Sequence, residues 1–307
     1  MLYRRAVLIY NPAAGRRRNR RRLEINRALQ ALAAHVDSVA AWPTDEPHAA
    51  TRLAREACES GADLVLACGG DGTVNEIVNG LAGSQVTLGV LPAGTANVLA
   101  VETGLPLDPV EAARRLPDSE PHRLSLGRLC RAGGPPGGRY FLLMAGAGVD
   151  AHVVYTLHPG LKARLGIVAY FLAVAAEVWR HKPVFTVETG EARYECTYAL
   201  AAKCAGYGGR IRIASGAHLL DEPLELVLFH TRRRFRYLVY LGAVLAGALP
   251  RLADVTVLKA TSLRLSATGL LHVQVDGEYA GPLPATIEIV PEALTLLLPR
   301  DYVRGHG

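Results

Sequence analysis

The feature that most limits what this chain can fold into is a repeated order of apolar strand, loop and amphipathic helix in its first hundred residues. Four short apolar runs have the length of buried strands, at residues 6–10, 36–42, 64–68 and 87–91. In the third repeat the apolar residues beyond the loop return at helical spacing, at Val74, Ile77, Val78 and Leu81. This alternation predicts a parallel sheet covered by helices on both faces.

The pattern changes after about residue 121. A loop rich in Gly and Pro is expected at 131–139, and a hairpin around Gly190 is expected from 185–188 and 194–200. Further strand-like runs follow at residues 225–229, 255–258, 263–266, 272–275 and 286–290. The sequence therefore predicts an α/β domain with a parallel sheet over residues 1–121 and an all-β, sandwich-like domain over residues 122–290.

Composition narrows the class of protein further. Half of the 307 residues are hydrophobic, which predicts a substantial packed core and excludes a disordered or fibrous chain. The net charge of +6 favours anionic partners without saying which kind. The five cysteines are scattered and form no metal-ligand spacing, so we expect a reducing compartment. Because the first apolar run is too short for a signal peptide, a cytoplasmic protein is expected.

Two longer apolar stretches, 165–179 and 237–249, are predicted to be helices and are too short to cross a membrane. The second follows a run of arginines at Arg232, Arg233, Arg234 and Arg236. A basic edge that leads into an apolar helix fits contact with an anionic membrane surface. An ordinary core helix with a solvated charge run is the alternative.

The strongest local signal is the glycine loop Gly69-Gly70-Asp71-Gly72-Thr73, which ends an apolar strand and opens a helix. Glycines allow backbone amides to approach an anion, and a helix N-terminus adds partial positive charge, so a phosphate is expected here. The loop is neither a GxGxxG nor a Walker sequence. A purely structural turn capped by Thr73 needs no carboxylate, whereas a nucleotide site has a use for Asp71 in orienting Mg²⁺ or the nucleotide.

Two further loops, at residues 11–15 and 92–97, follow neighbouring strands. The carboxyl ends of parallel strands share one edge of the sheet, which is where ligands bind in open α/β folds. Arginines stand directly beyond the first loop, at Arg16, Arg17, Arg18, Arg20, Arg21 and Arg22. Their position suits phosphate or lipid headgroups, and a solvated helix start is the alternative.

Residues 11–15, 69–81 and 91–97 together resemble the catalytic domain of the diacylglycerol kinase family. Within that family the chain is most similar to the bacterial lipid kinases, whose relatives include sphingosine and ceramide kinases. The resemblance covers nearly the whole chain. It implies a nucleotide-binding α/β domain, a β-sandwich domain, an active site in the cleft between them, and a C-terminal tail, 291–307, that returns to the first domain.

The resemblance also implies the residues of the site. ATP is expected to contact Asn11, Pro12, Ala13, Ala14, Gly15, Thr44, Gly69, Gly70, Asp71, Gly72, Thr73, Val74, Asn75, Glu76, Gly94 and Thr95. Asp71 is expected to help hold the Mg²⁺ that accompanies ATP. Asp276-Gly277-Glu278, which by itself indicates only a hairpin turn, matches a motif whose glutamate is catalytic, so Glu278 is the predicted general base.

Two departures from the family pattern stand out. Relatives commonly hold a structural Mg²⁺ with an Asp-Asp-Gly stretch, whereas residues 219–224 read Leu-Leu-Asp-Glu-Pro-Leu here. Only Asp221 matches as a ligand of that structural metal, with Glu222 as a candidate substitute. Ala14 also replaces the serine of the Asn-Pro-x-Ser-Gly loop, which removes one hydroxyl near the phosphates.

The sequence thus predicts an ATP- and Mg²⁺-dependent lipid kinase that associates peripherally with the inner face of the cytoplasmic membrane. A soluble NAD kinase-like enzyme, which also carries a GGDGT loop, and a catalytically silent lipid-binding regulatory protein are the alternatives. Nucleic acid is not an expected partner, because the positive charge is accompanied by no aromatic platform. The sequence does not identify the phosphorylated lipid among alcohols such as diacylglycerol and ceramide. It also does not determine the oligomeric state, for which a homodimer is one option.

Overall fold

The computed structural model describes residues 3–14, 21–148, 183–190, 192–207, 211–233 and 235–305. The chain divides into two compact units, one formed by Met1–Ser125 with Pro291–Gly307 and the other by Leu126–Val290. The sequence put the change of pattern at residue 121, and the division of the structure falls at residue 125.

The first unit is built from strands and helices in alternation. Its strands are β1 (Tyr3–Tyr10), β2 (Val36–Pro43), β3 (Leu64–Gly69), β4 (Thr87–Pro92), the start of β5 (Ser119–Arg131) and the end of β18 (Ala285–Pro299). Its helices are α1 (Arg21–Leu32), α2 (Ala49–Glu59), α3 (Asp71–Leu81), α4 (Val98–Thr103), α5 (Pro109–Arg114) and α7 (Arg300–Arg304).

The central strands of this unit form a parallel sheet in the order β2-β1-β3-β4-β18. Successive side chains of β1 point to opposite faces, and both sets are buried, since Leu8 and Ile9 are each fully covered. Leu8 packs in one cluster with residues of α1 and α5, while α2 contacts β1, α3 contacts β3, and the two helices pack against each other. The sheet is therefore covered on both faces, as the uninterrupted apolar runs predict.

The second unit is mostly antiparallel. Its remaining strands are β6 (Arg139–Phe141), β7 (Met144–Gly148), β8 (Phe185–Thr189), β9 (Ala192–Cys196), β10 (Tyr198–Ala202), β11 (Gly206–Tyr207), β12 (Ile211–Arg212), β13 (Leu224–Phe229), β14 (Val255–Ala260), β15 (Ser262–Ser266), β16 (His272–Val275) and β17 (Glu278–Pro282). One sheet has the order β14-β13-β10-β7-β16-β17, and the strands β18, β15, β8 and β9 pair in that order in another.

Alternate residues of the two sheets meet in one apolar core, with Leu226 and Val273 from the first and Val187 and Leu265 from the second. This arrangement confirms the predicted sandwich-like domain. The strand expected at 194–200 is in fact two strands, because Thr197 interrupts it. Its N–H donates to Phe229 O at 2.7 Å, so that β9 and β10 belong to different sheets.

The one α-helix described in this unit is α6 (Arg236–Leu245), which matches the second apolar stretch. The helix predicted at 165–179 lies outside the described residues. Within the described ranges, no helix is long and apolar enough to cross a membrane.

Two helical glycines give opposite predictions for stability. A Cβ on Gly80 of α3 would lie 2.5 Å from Ala54 Cβ and 2.6 Å from Thr51 O of α2, whereas a Cβ on Gly242 of α6 would meet nothing within 4 Å. Gly80→Ala should lower the free energy of unfolding by about 1–3 kcal/mol, because it forces two packed helices apart. Gly242→Ala should raise it by about 0.5–1 kcal/mol. Urea unfolding of both variants checks this, and a stabilised Gly80→Ala would contradict the described packing of α2 on α3.

Candidate active site

The four parallel strands of the first unit end level with one another. Tyr10 pairs with Pro43 on one side and Cys68 on the other, and Gly69 pairs with Pro92. Hydrogen bonds continue this register beyond the strands, from Asn11 N to Cys68 O at 3.1 Å, from Thr44 N to Tyr10 O at 2.9 Å and from Ala93 N to Gly69 O at 2.8 Å. The loops predicted to bind ATP therefore lie side by side along one edge of the sheet.

The loop after β1 is a turn held by Asn11. The Asn11 side-chain oxygen accepts the N–H of Ala13 at 2.8 Å, and its backbone oxygen accepts the N–H of Ala14 at 3.2 Å. An asparagine that bonds the backbone two residues ahead is typical of such turns. Gly15 and the arginines at 16–18 and 20 lie outside the described residues.

The loops after β3 and β4 are in contact through glycine backbones. A Cβ on Gly94 would lie 2.4 Å from Gly70 Cα, and a Cβ on Gly69 would lie 2.5 Å from Thr73 Cβ. Neither distance is possible for a real side chain. The glycines of this loop are thus required by the close approach of two backbones and of the helix that follows.

Asn97 closes the second of these loops. Its backbone is left-handed, with φ 48°, and its side chain accepts the N–H of Gly94 at 2.9 Å and donates to Gly94 O at 3.3 Å. Asparagine tolerates this conformation better than most residues. Thr95, inside the turn, is exposed, so its hydroxyl stays accessible.

Asp71 connects the two loops. Its Oδ1 accepts the N–H of Val98 at 2.7 Å, where α4 begins. Desolvation raises the pKa of Asp71, while backbone N–H groups of Val98, Leu99, Asp71 itself and Asn97 act in the opposite direction. The carboxylate therefore fixes α4 to the GGDGT loop. The predicted role in holding Mg²⁺ stays a prediction.

The remaining predicted residues of this motif lie on α3. Thr73, Val74 and Asn75 have buried side chains, so they support the helix from within the unit. Glu76 reaches the start of α2, where its Oε2 accepts the N–H of Ala50 at 3.2 Å. Its carboxylate thus serves as a cap for α2, a contact that the sequence does not reveal.

Asp276 and Gly277 form the turn between β16 and β17, with φ 48° and 79°. The Asp276 carboxylate is buried and accepts three backbone N–H groups, from Leu142 at 3.1 Å, Leu143 at 3.0 Å and Met144 at 2.9 Å. Gly277 N donates to Gln274 Oε1 at 2.8 Å. The turn is consequently fixed from two sides, and Glu278 follows it directly.

Glu278 is partly exposed and paired with Arg139 of β6. Arg139 Nη2 donates to Glu278 Oε2 at 2.5 Å, and Nη1 donates to Tyr279 O at 3.3 Å. Arg131 holds the same strand through a 2.7 Å bond from Nε to Ala280 O. The sequence pattern signals neither arginine, because the partners are 139 and 149 residues apart.

Asp221, the predicted ligand of a structural Mg²⁺, is bound by two lysines. Lys259 Nζ lies 2.7 Å from Asp221 Oδ2, and the buried Lys203 ammonium donates to the backbone oxygen of Asp221. Burial lowers the pKa of Lys203 to about 8, while the charges of Asp221 and Glu222 act in the opposite direction. In the described part of the chain, no group of three or more His, Cys, Asp or Glu side chains could hold a metal ion. The residues around Asp221 do not fit a Mg²⁺ site.

Comparison with known proteins gives matches in both halves of the chain. Residues 5–129 match the diacylglycerol kinase catalytic domain, and residues 144–298 match the YegS C-terminal NAD kinase beta sandwich-like domain. A diacylglycerol kinase of Mycobacterium tuberculosis H37Rv is 32% identical over 260 residues, 83% of each chain. A diacylglycerol kinase of Bacillus subtilis is 27% identical over 303 residues, 97% of each chain.

Solved structures share the fold. A crystal structure of a diacylglycerol kinase from Bacillus anthracis, strain Sterne, has a TM-score of 0.80 and 23% identity, and the alignment covers 98% of this chain and 99% of that one. At this identity the likeness concerns the fold.

The fixed turn at Asp276 gives a stability prediction. Asp276→Asn keeps the side-chain size and tolerates the left-handed backbone, but its single oxygen cannot accept three N–H groups. We expect a loss of roughly 2–4 kcal/mol in the free energy of unfolding, because each buried N–H without a partner costs about 1–3 kcal/mol. Glu195→Gln, the same acid-to-amide change at an exposed position of β9, should change it by less than about 0.5 kcal/mol. Equal effects in urea unfolding would contradict this role of Asp276.

Proposed function

The chain belongs to the diacylglycerol kinase family, as the resemblance of its loops predicted, and on that premise we propose that it is an ATP-dependent lipid kinase. It transfers the γ-phosphate of ATP to a hydroxyl of a membrane lipid such as diacylglycerol. The observation that carries this proposal is the alignment of the Asn11, Thr44, Gly70 and Gly94 loops along the carboxyl edge of one parallel sheet. Ligands of open α/β sheets bind at such an edge.

ATP is the first substrate of the proposed reaction. The contact between Gly70 and Gly94 favours recognition by backbone amides, since neither residue places a side chain between the loop and an anion. Thr44 and Thr95, in the loops after β2 and β4, are at least partly exposed and offer hydroxyl groups at this edge. Asp71 keeps the two loops together and, in this proposal, also contributes to holding the Mg²⁺ that arrives with ATP. Phosphoryl transfer then depends chiefly on positioning and on neutralising charge.

Glu278 is the proposed general base. The lipid hydroxyl oxygen forms a bond to the γ-phosphorus while the bond from that phosphorus to the bridging oxygen of ADP breaks, and the hydroxyl proton passes to the Glu278 carboxylate. Two features support this role. The Asp276–Gly277 turn fixes the backbone, and Arg139 fixes the carboxylate through a 2.5 Å hydrogen bond. Arg139 is thus a positioning residue in the proposed mechanism.

The second substrate lies in a membrane, and α6 offers a surface suited to reach it. The inner side of α6 is firmly packed, because Tyr237 and Tyr240 are buried against Phe229, with ring centroids 6.1 and 4.3 Å away. Arg236 and Tyr240 also bind the Asp254 carboxylate, each with a 2.7 Å bond to Oδ2. The helix is therefore anchored by one face only.

The outer side of α6 is apolar and exposed. It consists of Phe235, Leu238, Val239, Leu241 and Leu245, which are 43–71% accessible. Arg232 and Arg233 are exposed at the start of this surface, and a shallow cavity of about 490 Å³ is lined by Arg233, Phe235, Arg236 and Val239. Exposed apolar side chains beside arginines fit insertion into the headgroup region of an anionic bilayer. This supports peripheral association with the inner face of the cytoplasmic membrane.

Removal of the proposed base should stop the reaction without loss of ATP binding. With diacylglycerol in mixed micelles, Glu278→Gln should lower kcat by about 10²–10⁴-fold, the usual contribution of a general base. The rise of Tm with ATP should stay as in the unchanged protein, since the loops proposed to bind ATP belong to the other unit.

Glu288→Gln is the matched control, because Glu288 forms a similar ion pair with Arg128, at 2.6 Å, in the same unit. It should keep kcat within about threefold, as expected for a surface ion pair. Equal losses of kcat in the two variants would show that the effect comes from loss of an ion pair, and would contradict the role of Glu278 as base.

The outer face of α6 gives a second prediction. The triple change Leu238→Ser, Leu241→Ser and Leu245→Ser should weaken binding to phosphatidylglycerol vesicles by at least about tenfold, since each half-buried leucine contributes roughly 1 kcal/mol. Arg232→Gln with Arg233→Gln should remove much of the preference for anionic over neutral vesicles, at about 1 kcal/mol per arginine. Co-sedimentation with vesicles measures both effects.

Leu270→Ser serves as the control, because Leu270 is 78% exposed in the same unit and lies outside α6. It should leave vesicle binding unchanged. If the triple variant binds as well as this control, α6 is not the surface that meets the membrane.

A further inference from the structure

Lys203 is a buried cation that the phosphoryl-transfer mechanism does not use. It follows β10 directly, its side chain is fully covered, and its backbone N–H donates to Leu143 O at 2.8 Å. Lysine is almost never completely buried unless its ammonium is paired. The hydrogen-bond and charge partners of the Lys203 ammonium therefore indicate what the residue does in the fold.

The Lys203 ammonium binds the turn at Asp221. It donates to the backbone oxygen of Asp221, and Asp221 and Glu222 both act on it electrostatically. Asp221 N in turn donates to His218 O at 3.1 Å, which closes the turn. A single positive charge thus holds a backbone carbonyl in an acidic loop, which is the task that a structural metal ion performs.

Two carboxylate oxygens of the same region also accept hydrogen bonds from the chain. Lys259 from β14 reaches Asp221 Oδ2 at 2.7 Å. Glu225 of β13 is buried, and its Oε1 accepts the N–H of Gly216 at 3.1 Å, so it fixes the preceding part of the same loop. The Asp221 backbone oxygen, Asp221 Oδ2 and Glu225 Oε1 therefore each accept a hydrogen bond from the chain.

We propose that Lys203 supplies from within the chain the positive charge that a structural Mg²⁺ would otherwise supply at this turn, and that this protein binds no metal at Asp221. The inference does not depend on the identity of the lipid or on Glu278. It predicts that Mg²⁺ serves only the nucleotide, and that the fold of the second unit is stable without it.

The direct test uses the unmodified protein with Mg²⁺ alone and no nucleotide. We expect the same Tm in EDTA and in millimolar Mg²⁺, and no bound metal by elemental analysis after gel filtration in Mg²⁺. A saturable rise of Tm with Mg²⁺ that disappears in Asp221→Asn would overturn the proposal. A rise that persists in Asp221→Asn would place the metal elsewhere, and it would contradict the prediction that Mg²⁺ serves only the nucleotide.

Two variants test the role of the lysine itself. Lys203→Met should lower Tm, because it leaves the Asp221 carbonyl without its donor. Lys259→Met, which removes the more exposed lysine from the same aspartate, should lower Tm much less. Lys203→Asp, which brings a carboxylate to Asp221 and Glu222, should have a Tm that rises with Mg²⁺. The proposal is wrong if Lys203→Met is as stable as Lys259→Met, or if the folded Lys203→Asp variant has the same Tm with and without Mg²⁺.

Discussion

The candidate site of the first unit depends on one contact, the close approach of the loops after β3 and β4. Gly70 and Gly94 meet with no room for a Cβ, and the Asp71 carboxylate joins the first loop to the start of α4. Asn97 then closes the second loop on Gly94. Because each of these interactions uses backbone groups, the geometry of the loops is set by the main chain. Loops whose shape is fixed by the main chain at this edge of the sheet suit phosphate recognition, which needs backbone amides in fixed positions.

In the second unit, as with Asp71 in the first, charged side chains fix loops by hydrogen bonds to backbone groups. Here the charged side chains are buried and the loops are turns. Asp276 accepts three N–H groups and fixes the turn before Glu278, whereas Lys203 donates to a carbonyl and fixes the turn at Asp221. A buried charge is costly unless its hydrogen bonds are satisfied, so each of these residues specifies one conformation of its loop. Rigidity of this kind is what a reaction based on positioning requires.

The sequence predicts the parts of this molecule that depend on local pattern. The four parallel strands, the glycine loops and the hairpin at Asp276 are all signalled by neighbouring residues, and the structure contains them. Contacts between distant residues carry no such signal. The pairing of Glu278 with Arg139 and the cap that Glu76 places on α2 depend on tertiary packing. Thr197 likewise separates β9 from β10 within a segment that the sequence predicts as one strand, and its N–H donates to the distant Phe229 O. The burial of Lys203 does have a sequence signal, because it is a single lysine within the apolar run 198–205. A lysine in such a run is typical of a buried and paired cation.

The central claim is that the γ-phosphate of ATP reaches a lipid hydroxyl. An NAD kinase-like enzyme would share the GGDGT loop, and a silent binding protein would share the fold, so the acceptor has to be identified directly. The measurement incubates the purified protein with γ-labelled ATP, Mg²⁺, NAD and mixed micelles of a total lipid extract, and then separates the organic and aqueous phases by chromatography. We expect label in a lipid product of the organic phase. Label in NADP in the aqueous phase, or no transfer to either acceptor, would contradict it.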